Sequence, residues 1–287
     1  MKIAAISDIH ANLHALDAVL EDISIQNCDR LIVAGDFIDC GPFPAETIRR
    51  LRALNPVIIR GNHEGYILDN IFSDKYEHPP FRALYAPGKW AAACLNTEEK
   101  NWLAELPTRV ELNYGESLNV LVVHGSPRRD NEPIYPNIPD ELLEEMFEGE
   151  KQLRRLVIAG HTHRPTLIRW RDMTIVNCGS VGYPIDGDTR SCYAIAEWNG
   201  EDWEVQHRRV AYNRSAALKA IKKNTSLHEA GPIMRFIQYL VETGTTAGMS
   251  EFVNRYIKSG NHPTPPDDME HLELAVIDYL GQFYGNS

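Results

Sequence analysis

Cysteine, long apolar runs and positive charge are what this sequence has little of. Its 287 residues hold five cysteines (Cys28, Cys40, Cys94, Cys178, Cys192), an odd number with no CxxC pair. That argues against a disulfide framework and a thiolate zinc ribbon, and for a reducing compartment. No apolar run approaches the roughly 18 residues of a membrane span. The N-terminus meets Asp8 too early for a secretory signal, so a soluble, cytoplasmic protein is expected. Lys and Arg total 29 against 40 Asp and Glu, a formal net charge of −11. Such a surface is unsuited to gripping extended nucleic acid or anionic lipid. The chain is otherwise ordinary, with 43% hydrophobic residues, 19 Gly and 17 Pro, which excludes disorder and low complexity.

What is present alternates. Residues 2–7 are apolar and end at Asp8; Leu13, Leu16, Leu20 and Ile23 then recur at helical spacing. Leu31–Ala34 is a second strand, a helix starts near Pro44 with Ile48, Leu51 and Leu54 on one face, and Val57–Ile59 is a third strand. The pattern predicts a layered α/β fold. Residues 64–108 read as irregular helix, and strands resume at Leu118–Val123 and Leu156–Ala159. Thr166–Trp170, Thr174–Asn177, Ser191–Trp198 and Glu204–Val210 lie close together, with Asn199-Gly200 as a hairpin turn, which predicts an antiparallel or mixed sheet. Residues 1–212 are expected to form one domain and 213–287 a helical extension. Its stripes are Phe236, Ile237, Leu240 and Val241; then Phe252, Val253, Tyr256 and Ile257; then Leu272, Val276, Tyr279, Leu280 and Phe283, with a break at 261–266.

Five apolar strands end in polar residues: Asp8-Ile9-His10, Gly35-Asp36, Gly61-Asn62-His63-Glu64, His124-Gly125 and Gly160-His161-Thr162-His163. Ligands of open α/β sheets sit beyond the carboxyl ends of the strands. One rim therefore gathers two Asp, one Asn and four His. Imidazole with carboxylate and amide oxygen suits Mn, Fe, Ni or Zn, and the lack of thiolate argues against structural zinc. Seven donors are too many for one ion with an open position. They suit two ions roughly 3.5–4 Å apart if one carboxylate bridges, a pair able to clamp a phosphoryl group and acidify water.

Asp8-x-His10, Gly35-Asp36-x-x-Asp39-x-Gly41, Gly61-Asn62-His63-Glu64, His124-Gly125 and Gly160-His161-x-His163 resemble, in order, the five motifs of the calcineurin-like metallophosphoesterases. The resemblance covers about residues 1–210. Arg60-Gly61-Asn62-His63-Glu64 leans toward the branch of protein phosphatases and diadenosine tetraphosphatases; His124-Gly125-Ser126-Pro127 and Asn177–Gly182 look like its small bacterial and archaeal phosphoesterases. It implies an α/β/β/α sandwich of mixed sheets flanked by helices. It implies a first metal on Asp8, His10 and His163, a second on Asn62, His124 and His161, Asp36 bridging, and a bridging hydroxide that attacks phosphorus. His63 would protonate the leaving oxygen, Asp39 would orient His63, and Asn62 would also touch the phosphate.

One departure from the family matters. Protein phosphatases of this family carry arginine where Cys40 stands, so a phosphate clamp is missing; Arg60, Arg128 or Arg129 could replace it. Cys40 itself reads as a packing residue. Asn12 could touch phosphate or cap the first helix. His14 reads as a surface residue, Arg49–Arg52 as a solvated helix face, and Trp90 and Trp102 as core; Gly179–Gly182 could present N–H groups to an anion or be a tight turn. The expected activity is hydrolysis of a small nucleotide-like phosphodiester or diadenosine polyphosphate, using two divalent ions, Mn²⁺ or Fe before Zn²⁺ or Ni²⁺. A protein phosphatase or a non-catalytic scaffold on the same fold are the alternatives.

Overall fold

In the computed structural model, residues 1–73, 84–115, 118–150, 156–224, 227–258 and 269–284 are described. The first half alternates as the apolar pattern requires: β1 (Lys2–Ile6), α1 (Leu13–Ser24), β2 (Arg30–Ala34), α2 (Pro44–Leu54), β3 (Val57–Ile59) and α3 (Asn62–Phe72). Two more helices follow, α4 (Ala86–Cys94) and α5 (Thr97–Glu105). Next come β4 (Arg109–Asn113), β5 (Asn119–Val123), α6 (Asp140–Met146), β6 (Leu156–Ala159), β7 (Thr166–Trp170), β8 (Met173–Asn177), β9 (Ser191–Trp198) and β10 (Trp203–Val210).

The strands make two mixed five-stranded sheets, ordered β10-β9-β1-β2-β3 and β4-β5-β6-β8-β7. In the first, β1, β2 and β3 are parallel and β9 pairs antiparallel with both β1 and β10; in the second, β5, β6 and β8 are parallel, with β4 antiparallel to β5 and β7 to β8. Side chains alternate faces along a strand, and here both faces are apolar. Ile3 and Ala5 of β1 pack toward the second sheet against Val120, Val122, Leu156 and Ile158. Ala4 and Ile6 pack the other way, against Leu16 and Val19 of α1 and Ile48 and Leu51 of α2. The outer face of the second sheet is covered by Leu143 and Met146 of α6. The layers run α/β/β/α, as the resemblance implied. Fully buried Ile, Val and Leu side chains contribute about 1.5–3 kcal/mol each, so the layers are held mainly by these faces.

The helices after residue 213 are α7 (Arg214–Asn224), α8 (Leu227–Ala230), α9 (Met234–Thr243), α10 (Met249–Phe252), a π-helical turn (Val253–Lys258) and α11 (Met269–Tyr284). The single apolar stripe expected on α9 is two. Ile237, Leu240 and Val241 pack with Tyr183, Cys40 and Trp90 of the sheet-bearing half, while Phe236 and Tyr239 pack with Phe252, Leu272, Val276, Tyr279 and Leu280. This helix is therefore an internal layer. The side chains of Tyr256 and Ile257 and the break at 261–266 lie outside the described residues. The hairpin between β9 and β10 forms at Asn199-Gly200 as expected, but Trp198 pairs with Trp203, so four residues make the loop. Among the described residues no helix is long and apolar enough to cross a membrane.

Candidate metal centre

The polar strand ends of both sheets meet at one rim, and the backbone is bent sharply to bring them there. Asp8, His10, Asp36, Asp39, His161 and His163 all have left-handed φ, between +49° and +81°. Asp and His tolerate this region better than most residues, yet each such residue stores of order 1 kcal/mol of strain. The surrounding contacts hold it. Asp8 N–H donates to Gly35 O at 3.1 Å and His10 N–H to Asp36 O at 3.0 Å. Gly35, at φ +88°, is required: a Cβ there would stand 2.6 Å from Gly61 N and 2.7 Å from His124 Nδ1.

Six of the seven expected donors gather in two groups, and the seventh, Asn62, is buried at the start of α3. Asp8, His10 and His163 form one group whose ligand atoms lie within 4.8 Å of one another; Asp36, His124 and His161 form another. Asp36 also reaches His10 and His63 within the same limit, so it stands between the groups. His163 Nε2 lies 3.1 Å from His10 Nε2 and 3.3 Å from Asp8 Oδ1. His124 Nε2 lies 2.9 Å from Asp36 Oδ2. Asp8, His10, Asp36, Asn62 and His124 are buried and the last two histidines half-buried.

Three observations fit this donor set to cations. First, His124 Nδ1 is 2.7 Å from Ala34 O and His163 Nδ1 is 2.7 Å from Tyr183 O; donation to those carbonyls leaves each Nε2 lone pair facing inward, as metal-binding imidazoles are held. Second, Asn62 Oδ1 and His10 Nδ1 are buried polar atoms with no hydrogen-bond partner, which costs about 1–3 kcal/mol apiece unless something fills the space. Third, the charges suit ligands. Burial, with His63 and His163 alongside, holds His10 well below its usual value, and burial with His124 lowers His161, so both rings stay neutral. Burial works against ionisation of Asp36, but His124 and His63 overcome it and hold the carboxyl well below the usual range. Burial pulls His124 down while Asp36 and Asp8 push it up, to about 9, so this pocket demands a positive charge.

Beside the donors, Asp39 Oδ2 is 2.7 Å from His63 Nδ1 and its Oδ1 accepts Cys40 N–H at 2.6 Å. Burial lowers His63, but Asp36 and Asp39 outweigh it and hold the ring well above its usual value. A protonated imidazole, oriented by a carboxylate and adjacent to the metal-binding groups, is a proton donor. Glu64 is the residue whose role the sequence left unassigned. Its buried carboxylate accepts N–H groups from Asp36 (2.8 Å), Phe37 (2.9 Å), Ile38 (3.0 Å) and Gly61 (2.8 Å). It thereby fixes the loop of Asp36 to the start of α3, which carries Asn62 and His63. Its place directly after His63, third in the first turn of α3, was the available signal.

A family model, the calcineurin-like phosphoesterase superfamily domain, matches residues 1–201. The chain belongs to the calcineurin-like phosphoesterase superfamily. It is a metallophosphoesterase, a hydrolase of phosphoric esters. It is similar to the crystal structure of a metallophosphoesterase from Sphaerobacter thermophilus, at 28% identity and a TM-score of 0.66, over 85% of this chain and 99% of that one. It is also 28% identical to an uncharacterized protein of Methanocaldococcus jannaschii over 77% of this chain and 92% of that protein. A symmetrical bis(5'-nucleosyl)-tetraphosphatase of Coxiella burnetii is 33% identical, but over only 42% of this chain and 40% of the relative.

Other residues of this phosphoesterase fall outside the donor cluster. Asn12 caps α1 by accepting Ala15 N–H at 3.3 Å, and its amide donates to Gly182 O (3.0 Å) and Tyr212 OH (3.3 Å). Both amide hydrogens are thus used inside the fold, and of its two expected roles the cap is the one seen. Arg128 is engaged by Glu132 at 2.8 Å. Arg60 donates its backbone N–H to Pro107 O, and its Nε is buried without a hydrogen-bond partner. Arg129 is exposed, in the loop after His124. His14 packs edge-on against Phe43. The turn at Gly179–Gly182 gives its N–H groups to the fold: Val181 to Ser7 O and Gly182 to Asp8 O. Trp90 and Trp102 pack against the core, as expected. Arg49, Arg50 and Arg52 are ion-paired with Glu99, Asp17 and Glu98. Burial pushes the Cys40 thiol up to about 12, so it is no nucleophile.

Proposed function

We propose that this chain is a dinuclear metal-dependent phosphoesterase that hydrolyses a small nucleotide-like phosphodiester or dinucleoside polyphosphate. Asp8, His10 and His163 would hold one divalent ion and Asn62, His124 and His161 the other, with Asp36 shared. The ions, Mn²⁺ or iron from the nitrogen and oxygen donors, would supply the Lewis acidity that activates water and withdraws charge from the phosphoryl group. The remaining chemistry belongs to side chains. A water oxygen bonds to phosphorus, the bond to the leaving oxygen breaks, and His63 gives that oxygen its proton through Nε2. Asp39 keeps Nδ1 of His63 occupied and stabilises the charged ring. Glu64 holds Asp36, Asn62 and His63 in register.

The observation that supports this reading is the gathering of Asp8, His10 and His163, and of Asp36, His124 and His161, in two adjoining groups with a carboxylate-held imidazole beside them. The named activity of the Coxiella relative supports a nucleotide substrate. Cys40, in place of a phosphate-gripping arginine, favours a small substrate over a phosphoprotein. Purified protein with Mn²⁺ is expected to hydrolyse bis(p-nitrophenyl) phosphate, and Asp36→Ala and His161→Ala to reduce the rate by about 10²-fold or more. No hydrolysis, or a rate indifferent to both changes, overturns it.

A further inference from the structure

Asp39, Cys40, Asn62 and His63 floor a cleft of about 450 Å³, within the size range of small-molecule sites. Its two walls differ. One carries Tyr66 and Tyr85, packed edge to face with centroids 5.0 Å apart, and Tyr66 lies 5.4 Å from the His63 ring. The other is aliphatic and comes from the C-terminal helices: Ile233, Ile237, Met249 and Val253. Val253 opens the π-helical turn, a geometry that recurs at functional sites. Ser250 and Asn254, both exposed, add polar groups to the lining.

The floor and the walls together say what the cleft receives. The proton donor sits in it, so the oxygen that takes the proton, and the group attached to that oxygen, must enter it. A cleft lined by two aromatic rings and by aliphatic carbons suits a flat ring. Among the described residues lining it there is no Lys or Arg, while Asp39 is present. A departing nucleoside polyphosphate would bring several negative charges against an acid and apolar carbons, with His63 the one basic side chain among the described lining residues. An uncharged nucleoside or aryl alcohol brings none.

We propose that this cleft is the leaving-group subsite, that it takes a nucleobase or similar aromatic ring, and that the substrate is accordingly a phosphodiester with an uncharged nucleoside leaving group; this rests on the phosphoesterase reading above. The C-terminal helices are then a specificity wall for the site. As the bond from phosphorus to the nucleoside oxygen breaks, water supplies the new oxygen on phosphorus, His63 supplies the proton, and the nucleoside is released into the slot.

The test uses the full chain. Adenosine is titrated calorimetrically into the protein with and without Mn²⁺, with ribose as the ring-free control. Adenosine is expected to bind and ribose not to. Ser250→Trp, which fills the slot from an exposed position, and Tyr66→Leu, which removes a ring, are each expected to weaken adenosine about ten-fold or more. Melting curves establish which variants remain folded, and either one suffices. In parallel, adenylyl-(3'→5')-adenosine is expected to show a higher kcat/KM than diadenosine tetraphosphate. Failure of adenosine to bind, equal binding by ribose, unchanged affinity in a folded variant, or a preference for the tetraphosphate overturns the subsite. Hydrolysis of bis(p-nitrophenyl) phosphate separates the two proposals. Activity without adenosine binding sinks the subsite alone; adenosine binding without activity sinks the phosphoesterase reading, and with it the leaving-group role.

Discussion

Four backbone N–H groups from two loops end on the carboxylate of Glu64, and they make it the hinge pin of the site. Burial and the Asp36 charge push its carboxyl up to about 7, against the pull of those donors. Glu64→Gln keeps the shape but turns one acceptor into a donor facing other donors. It is expected to cost about 1–3 kcal/mol in a urea melt and to lower activity while leaving the donor residues in place. Asp39→Asn tests the neighbouring pair. His63 must be protonated to act, so activity falls as pH rises through its value, which Asp36 and Asp39 hold above the ordinary one. Removing one of those carboxylates moves the loss of activity to lower pH; a pH–rate profile with an unmoved basic limb would contradict the assignment. At this scale the seven donors were legible because each stands where an apolar strand stops. Glu64 was not, because its role exists only once the loops at Asp36–Ile38 and Gly61 come together in space.

Between elements, the clearest electrostatic joint ties α1 to β9 and β10. Asp22 accepts two N–H bonds from Arg208, at 2.7 and 2.9 Å, and the Tyr193 hydroxyl at 2.6 Å. Arg208 lowers the Asp22 carboxyl, with burial opposing and Tyr193 helping. A carboxyl lowered on folding stabilises above its unfolded value, near about 3.9, and loses that contribution as pH falls through the folded one. Asp22→Asn is therefore expected to cost about 1–2 kcal/mol at pH 7, discounted for partial exposure, with wild type and variant converging below about pH 4 in thermal melts. Strands with solid apolar runs were read to within a residue or so. The edge strand Arg109–Asn113 was not, since only Val110 and Leu112 alternate in it, and Asp140–Met146 is too short for a helical period to declare itself. The burial of α9 on two sides was invisible for a different reason: one apolar stripe does not say how many layers will cover it.

For the molecule as a whole, two mixed sheets, each contributing strand ends to the rim, make a site that neither could make alone. Asp8, Asp36 and Asn62 come from the first sheet and its following loops, His124, His161 and His163 from the second. Metal binding should therefore lock the sheets together. Mn²⁺ at about a hundred times its dissociation constant is expected to stabilise the chain by about 2.7 kcal/mol, read as a rise in melting temperature. Binding should weaken as pH drops through the imidazole range near about 6, because protons compete for the same nitrogens. The most direct test is metal content. Full-length protein loaded with Mn²⁺, freed of excess by gel filtration and measured by mass spectrometry of the element, is expected to carry about two ions per chain, and Asp36→Ala markedly fewer. A wild-type content near zero, or one that the loss of Asp36 leaves untouched, would contradict the account.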